Sequence, residues 1–162
     1  MDLISEKKII FNYSEQKNKE IYPEAIFLDR DGVINEDLHY VKDPLNVKLC
    51  IGAKVLIRKI FSKGIPIVII TNQSGISRKI LTWGDFFLVN EKIIEKLGKP
   101  NPISAIYANS HKSTDKGNNW RKPNPNMIIQ ASVDLKINLK KSILIGDRLT
   151  DLQAGYRAGI KK

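Results

Sequence analysis

Four short apolar runs constrain this chain more than anything else in it. They are "AIFLD" (25–29), "PIVIIT" (66–71), "ISAIYA" (103–108) and "SILIG" (142–146). Each is rich in Ile and Val and apolar on both faces, the pattern of strands in a parallel sheet covered from two sides. The intervening segments change to a helical period. "GAKVLIRKIFSKG" places Ala53, Leu56, Ile57, Ile60 and Phe61 three to four residues apart and ends at Gly64, a C′ glycine. A second helix is expected from Thr82, where Thr82 and Asp85 form a capping-box-like pair, to Gly98. A third should open with Asn124 as N-cap and Pro125 at the first helical position, and a fourth near Thr150. Alternation of this kind predicts an α/β domain with right-handed crossovers, whose ligands sit beyond the carboxyl ends of the strands.

With 162 residues, the chain has the length of one ordinary domain. Residues 1–24 read as a polar N-terminal extension and 25–162 as the domain. No apolar run approaches the roughly 20 residues that span a bilayer. The N-terminus has lysines among its apolar residues and no small-residue cleavage site, so a cytoplasmic location without membrane association is expected. Cys50 is the only cysteine, which rules out an intrachain disulfide and reads as a small buried hydrophobe. The net charge is +10, from 27 Lys and Arg against 17 Asp and Glu. These basic residues are scattered rather than gathered in a block, which weakens a nucleic-acid reading and suits a small phosphorylated substrate.

The polar chemistry stands where the topology requires it. The first run ends in "DRDG", the second in "TNQSG", the third leads to a loop closing with "RKP", and the fourth ends in "GDRLTD". Alone, each is ordinary turn or cap composition. Together, in this order, they supply what phosphoryl transfer needs. Asp29 can attack phosphorus and form an aspartyl-phosphate. Asp31, next on the same face, can protonate the leaving alkoxide and later take a proton from water. The negative charge gathered there calls for cations, Mg²⁺ with oxygen ligands and a lysine. Asp29, Asp147 and the backbone carbonyl of Asp31 are the expected metal ligands, and Lys122 bridges nucleophile and phosphate. Thr71 and Asn72, at the start of a turn, can receive phosphate oxygens. Asp151, one helical turn beyond Asp147, would order a metal-bound water or hold Lys122.

These motifs resemble those of the haloacid dehalogenase (HAD) superfamily of phosphatases over residues 25–160. Within it, "DRDGVIN", "HYV", "TNQSGISR", "RKPNPNM" and "GDRLTDLQAG" are similar to the heptose 1,7-bisphosphate 7-phosphatases and the related histidinol-phosphatases. The resemblance implies a HAD-like Rossmannoid three-layer sandwich with a mostly parallel sheet and only small cap inserts. It also implies hydrolysis of a sugar phosphate, with Arg121 and the "TNQSG" loop, Gln73 included, binding substrate. Arg78 is a weaker candidate. Histidinol phosphate, a 3′-phosphorylated nucleic acid and a non-catalytic module remain as alternatives.

Many relatives carry a structural zinc in the loop before "RKP". Here Ala108, Ser110, Asn118 and Trp120 stand where those ligands would lie, and His111 cannot hold zinc alone, so no structural zinc is expected. Trp120 must brace the loop by packing instead. His39 and His111 read as solvated or structurally hydrogen-bonded. Relatives continue beyond "AGIKK" into another strand, which leaves open that the sheet lacks its usual last strand. A monomer or weak dimer is expected.

Overall fold

The computed structural model describes residues 3–5, 7–13, 23–117 and 119–161. In chain order its elements are β1 (Leu3–Ser5), β2 (Lys8–Asn12), β3 (Ile26–Leu28), α1 (Ala53–Ser62), β4 (Ile67–Asn72), α2 (Ser74–Ser77), α3 (Trp83–Leu97), β5 (Ala105–Asn109), α4 (Asn126–Asp134), β6 (Ile143–Ile145) and α5 (Leu149–Ala158). The four apolar runs became β3, β4, β5 and β6, joined in parallel in the order β5-β4-β3-β6.

Alternation along these strands fills two cores. Ile26, Leu28, Ile67 and Ile69 point to the layer of α1 and α3, where Phe86, Val89 and Ile93 meet them. Phe27, Val68, Ile70 and Tyr107 point to the layer of α4 and α5, onto Met127, Ile128, Ala131 and Ala154. The result is the expected three-layer α/β sandwich. β6 departs from expectation: Leu144 is buried, but Ile143 and Ile145 remain over a third exposed. It is one of the sheet's two edge strands among the described residues, β1 being the other, and only one of its faces is fully covered. No helix of the described residues is long and apolar enough to cross a membrane.

Three local expectations need adjustment. α3 begins with Thr82 as N-cap and the full capping box with Asp85, as read from sequence. At α4, however, the N-cap is Pro125, not Asn124. Asn124 closes a turn instead, its N–H donating to the Arg121 carbonyl at 2.9 Å, and this delays the helix by one residue. α5 starts one residue early, at Leu149, because the Asp151 carboxylate accepts the Arg148 N–H at 3.0 Å. Cys50 is only partly buried.

The described part of the leader is not a loose extension. β1 and β2 form a hairpin that adds to the sheet antiparallel to β5. Beyond the pairing, the Lys7 carbonyl accepts the Ser110 N–H at 3.0 Å, the Lys7 ammonium pairs with Asp115 at 3.0 Å, and the Lys8 ammonium lies 5.0 Å from the centre of the Trp120 ring. The hairpin thus holds the segment after β5 that ends at Arg121 and Lys122. The remaining leader residues, 1, 2, 6 and 14–22, lie outside the described residues, as do Asn118 and Lys162.

Candidate active site

The carboxyl ends of β3, β4 and β6 and the loop before α4 converge on a cavity of about 500 Å³, lined by Asp29, Asp31, Thr71, Arg121, Lys122 and Arg148 among others. At its floor lies Lys122, 3% exposed. Its ammonium is 2.9 Å from Asp29 Oδ1 and 2.6 Å from Asp151 Oδ1, and it donates to the Ile70 carbonyl at 3.0 Å. Its contacts are thus two ion pairs and a backbone hydrogen bond. The two carboxylates offset part of the cost of burying it.

Asp29 also accepts the Arg30 N–H at 2.7 Å. Burial pushes its carboxyl up to about 6; Lys122 pulls the other way, and the nearby Asp151 adds to the rise. Asp31 goes in the opposite direction. Burial raises it, but the Arg30 guanidinium, 2.9 Å from Oδ2, together with hydrogen bonds from Asn35 (2.9 Å) and Gln73 (2.8 Å), holds it below the usual carboxylate range. Arg30 is itself 2% exposed, with its guanidinium 5.0 Å from the Phe86 ring centre. Two acids two residues apart therefore sit in different electrostatic surroundings. The spacing in sequence suggested the pair but not this division.

Asp147 is exposed, at the mouth of the site, while Asp29 and Asp151 are buried; oxygens of all three lie within 4.8 Å of one another. The two oxygens of Asp151 are already engaged, one by Lys122 and one by the Arg148 N–H. Its arrangement is that of a lysine holder. The Asp31 side chain, saturated by its donors, stands outside the cluster.

Of the residues in "TNQSG", Thr71 is buried, and its Oγ accepts the Gln73 amide at 2.9 Å, which leaves its proton to donate. Gln73 spends the same amide nitrogen on Asp31. Asn72 turns away from the cavity centre to the Lys122 peptide, accepting its N–H at 3.0 Å and donating to its carbonyl at 3.3 Å. Arg121 reaches the cavity, anchored by a bond from its guanidinium to the His111 carbonyl at 3.0 Å. Arg78 donates to the Tyr40 hydroxyl at 3.1 Å. His39 is exposed, and His111 is buried with its N–H donating to Asn109. Trp120 is buried, 6.1 Å from the Tyr107 ring centre.

Sequence reasoning missed Arg148, Asp37 and Tyr40, which also line the cavity. Arg148 pairs with Asp37 at 2.9 Å across 111 positions of sequence. Its adjacency to Asp147 was the available signal. Burial, with Arg78 and Arg148 nearby, lowers the pKa of Arg121; Arg121 and Arg148 line the cavity, and Arg78 lies beyond its lining.

Comparison with known proteins identifies relatives of this chain. Residues 119–162 match the HAD-hydrolase-like family. A D-glycero-β-D-manno-heptose 1,7-bisphosphate 7-phosphatase of Mesorhizobium japonicum is 38% identical over 84% of this chain and 66% of its own length. The protein of the same name from Haemophilus influenzae is 37% identical over 85% of this chain and 78% of its own. A HAD-like phosphatase from Mesorhizobium loti superposes with a TM-score of 0.89 at 34% identity, covering 98% of this chain and 78% of that one. The D,D-heptose 1,7-bisphosphate phosphatase of B. bronchiseptica, crystallised with magnesium and phosphate, gives 0.78 at 30% identity, covering 85% and 77%. A lysine ion-paired to two aspartates at the carboxyl ends of a parallel sheet, in a chain this similar to such enzymes, leads to one assignment: the chain belongs to the HAD-like phosphatases, in the family that includes the heptose 1,7-bisphosphate 7-phosphatases.

Proposed function

We propose that this chain hydrolyses a phosphomonoester through an aspartyl-phosphate on Asp29, and that its substrate is a D-glycero-D-manno-heptose 1,7-bisphosphate, from which it removes the 7-phosphate. The observation that carries the mechanism is the Lys122 ammonium held between Asp29 and Asp151. It keeps a buried carboxylate oriented and offsets the charge of an arriving phosphoryl group. In the first displacement an Asp29 oxygen bonds to phosphorus as the ester bond breaks, and the proton of Asp31 passes to the leaving alkoxide. In the second, water attacks the same phosphorus and yields its proton to Asp31, freeing phosphate and Asp29. Arg30 and two amides favour the ionised Asp31 of the free protein; a phosphate dianion in the same cavity opposes them and favours the protonated acid. Thr71 supplies a hydroxyl to the phosphate.

The donor set fits a hard divalent cation. Asp29 and Asp147 offer carboxylate oxygens, and the Asp31 carbonyl lies between them in sequence. Gly32 leaves space for Asp147: a Cβ there, at φ +86°, would stand 2.3 Å from Asp147 Oδ2. Mg²⁺ held so would neutralise phosphate oxygens and polarise the phosphorus centre. Gly32→Ala is expected to raise the Mg²⁺ concentration for half-maximal binding, read by titration calorimetry, by about tenfold. Its stability should fall as well, by about 1–2 kcal/mol, because at φ +86° a Cβ is strained even when the exposed Asp147 swings aside.

The substrate reading rests on the positive mouth of the site. Arg78, Arg121 and Arg148 favour a second anionic group and disfavour the ammonium of histidinol phosphate. A cytoplasmic location goes with such a substrate. The test is phosphate release, with and without Mg²⁺, from heptose 1,7-bisphosphate, histidinol phosphate and a 3′-phosphorylated oligonucleotide. Mg²⁺-dependent preference for the bisphosphate is expected. Preference for either of the others overturns the substrate and keeps the mechanism; no release from folded protein overturns both.

A further inference from the structure

We infer that Asn109, which touches none of the reacting side chains, is the positioning residue that sets Lys122 against Asp29 and Asp151, acting through Asn72. The inference deepens the phosphatase reading and rests on it for its kinetic test. Asn109 ends β5 and is fully buried. Its amide nitrogen donates to Asn72 Oδ1 at 3.0 Å and to the Trp120 carbonyl at 3.1 Å, and lies 3.4 Å from Met127 Sδ. Its Oδ1 accepts the His111 N–H at 3.1 Å, and its carbonyl accepts the Gln73 N–H at 2.7 Å. Asn72 Oδ1 in turn accepts the Lys122 N–H, while its nitrogen donates to the Lys122 carbonyl. The Lys122 peptide is thus gripped on both sides by Asn72, and Asn72 is fixed by Asn109.

A buried side-chain amide is costly unless each of its groups is paired, so it is a poor choice for filling space. Here it joins one end of a surface loop to the other. Residues 110–121 leave β5 and return as the support of Lys122, and Asn109 links their start, at His111, to their end, at Trp120. The lysine's two ion pairs, at 2.9 and 2.6 Å, leave little room for drift. A displacement of about 1 Å in such a group can cost about a hundredfold in rate. Phosphate binding through Thr71 on β4 lies outside this grip, and Arg121, anchored on the His111 carbonyl, shares it only in part, so the loss should fall mainly on kcat.

The test uses Asn109→Ala, Asn72→Ala and the double variant in a Trp83→Phe background, where Trp120 is the remaining one of the chain's two tryptophans. With Mg²⁺ and heptose 1,7-bisphosphate, each single variant should lose about 10- to 100-fold in kcat, with KM within about threefold. The double variant should be no worse than the poorer single, because both break one linkage. Trp120 emission should shift to the red in Asn109→Ala. A kcat within twofold of the parent in a folded single variant, or losses that multiply in the double, would overturn the proposal. Should Asn109→Ala fail to fold, Asn72→Ala, altered at a half-exposed position, decides it by the same kcat criterion. If the parent hydrolyses none of the phosphomonoesters, the phosphatase reading fails by itself; an unshifted Trp120 emission in folded Asn109→Ala then sinks the linkage separately.

Discussion

Asp29→Asn will release no measurable phosphate, a loss of at least about a thousandfold, yet in metal-free buffer at neutral pH it will melt above the wild type. Loss of activity follows from loss of the nucleophile. The gain in stability follows from burial. The Asp29 carboxyl titrates at about 6 in the fold against an ordinary 3.8. A raised acid favours the protonated folded state, so its contribution is fully present below about pH 4, is lost as pH rises to about 6, and stays lost above. A shift of about two units corresponds to about 3 kcal/mol at most. Asparagine has no charge to bury, and Lys122 keeps Asp151 and the Ile70 carbonyl. A net gain of about 1–2 kcal/mol, or roughly 2–8 °C, is expected at pH 7 and should vanish near pH 4. Mg²⁺ should narrow the difference by stabilising only the wild type, by about 2.7 kcal/mol at a hundred times its dissociation constant. Thermal denaturation of both proteins from pH 4 to 8, with and without Mg²⁺, checks every part. A D29N protein that melts lower than wild type at pH 7 without metal would show that the Lys122 ion pair outweighs the burial.

Gly146→Ala should be the more damaging glycine substitution in rate, and costly in stability. A Cβ at Gly146 would lie 2.3 Å from Asp151 Cβ and 2.6 Å from its Cγ. These are atoms close to the backbone of a fully buried residue, with no freedom to move aside. Overpacking of this kind costs about 1–3 kcal/mol. Displacing Asp151 would also disturb both its bond to the Arg148 N–H, which starts α5, and its ion pair with Lys122. We expect a fall of at least a hundredfold in kcat and several degrees in melting temperature. Gly32→Ala meets a similar distance, but to the tip of an exposed side chain; its stability loss comes from the backbone at φ +86°, and its kcat should recover at saturating Mg²⁺. Equal losses of kcat in the two at saturating Mg²⁺ would contradict the difference drawn here between a buried holder and an exposed ligand.

Much of this was legible before any coordinates. The four strands could be read because each is a short apolar run rich in Ile and Val, and three of them, β3, β4 and β5, are buried on both faces. Asp29, Asp31, Lys122, Asp147 and Asp151 could be placed together because a parallel sheet sends the end of every strand to one side. The β1–β2 hairpin escaped for the opposite reason. "LIS" and "KIIFN" are short, and the Glu6-Lys7-Lys8 stretch between their apolar residues fits an extension as well as a hairpin; only the free edge of β5 decides for pairing.

The finer assignments depended on contacts that sequence distance conceals. Arg148 meets Asp37, and Asn72 meets both Asn109 and Lys122. Asn72 reads as a phosphate ligand from its place after β4, yet its amide turns to the Lys122 peptide, 50 positions away. By itself the sequence determined which chemical groups reach the sheet's carboxyl edge, because strand periodicity and chain order are local properties. Only the tertiary structure decided which carboxylate is raised and which is lowered, because that depends on burial and on partners such as Arg30 and Lys122 at distances of about 3 Å.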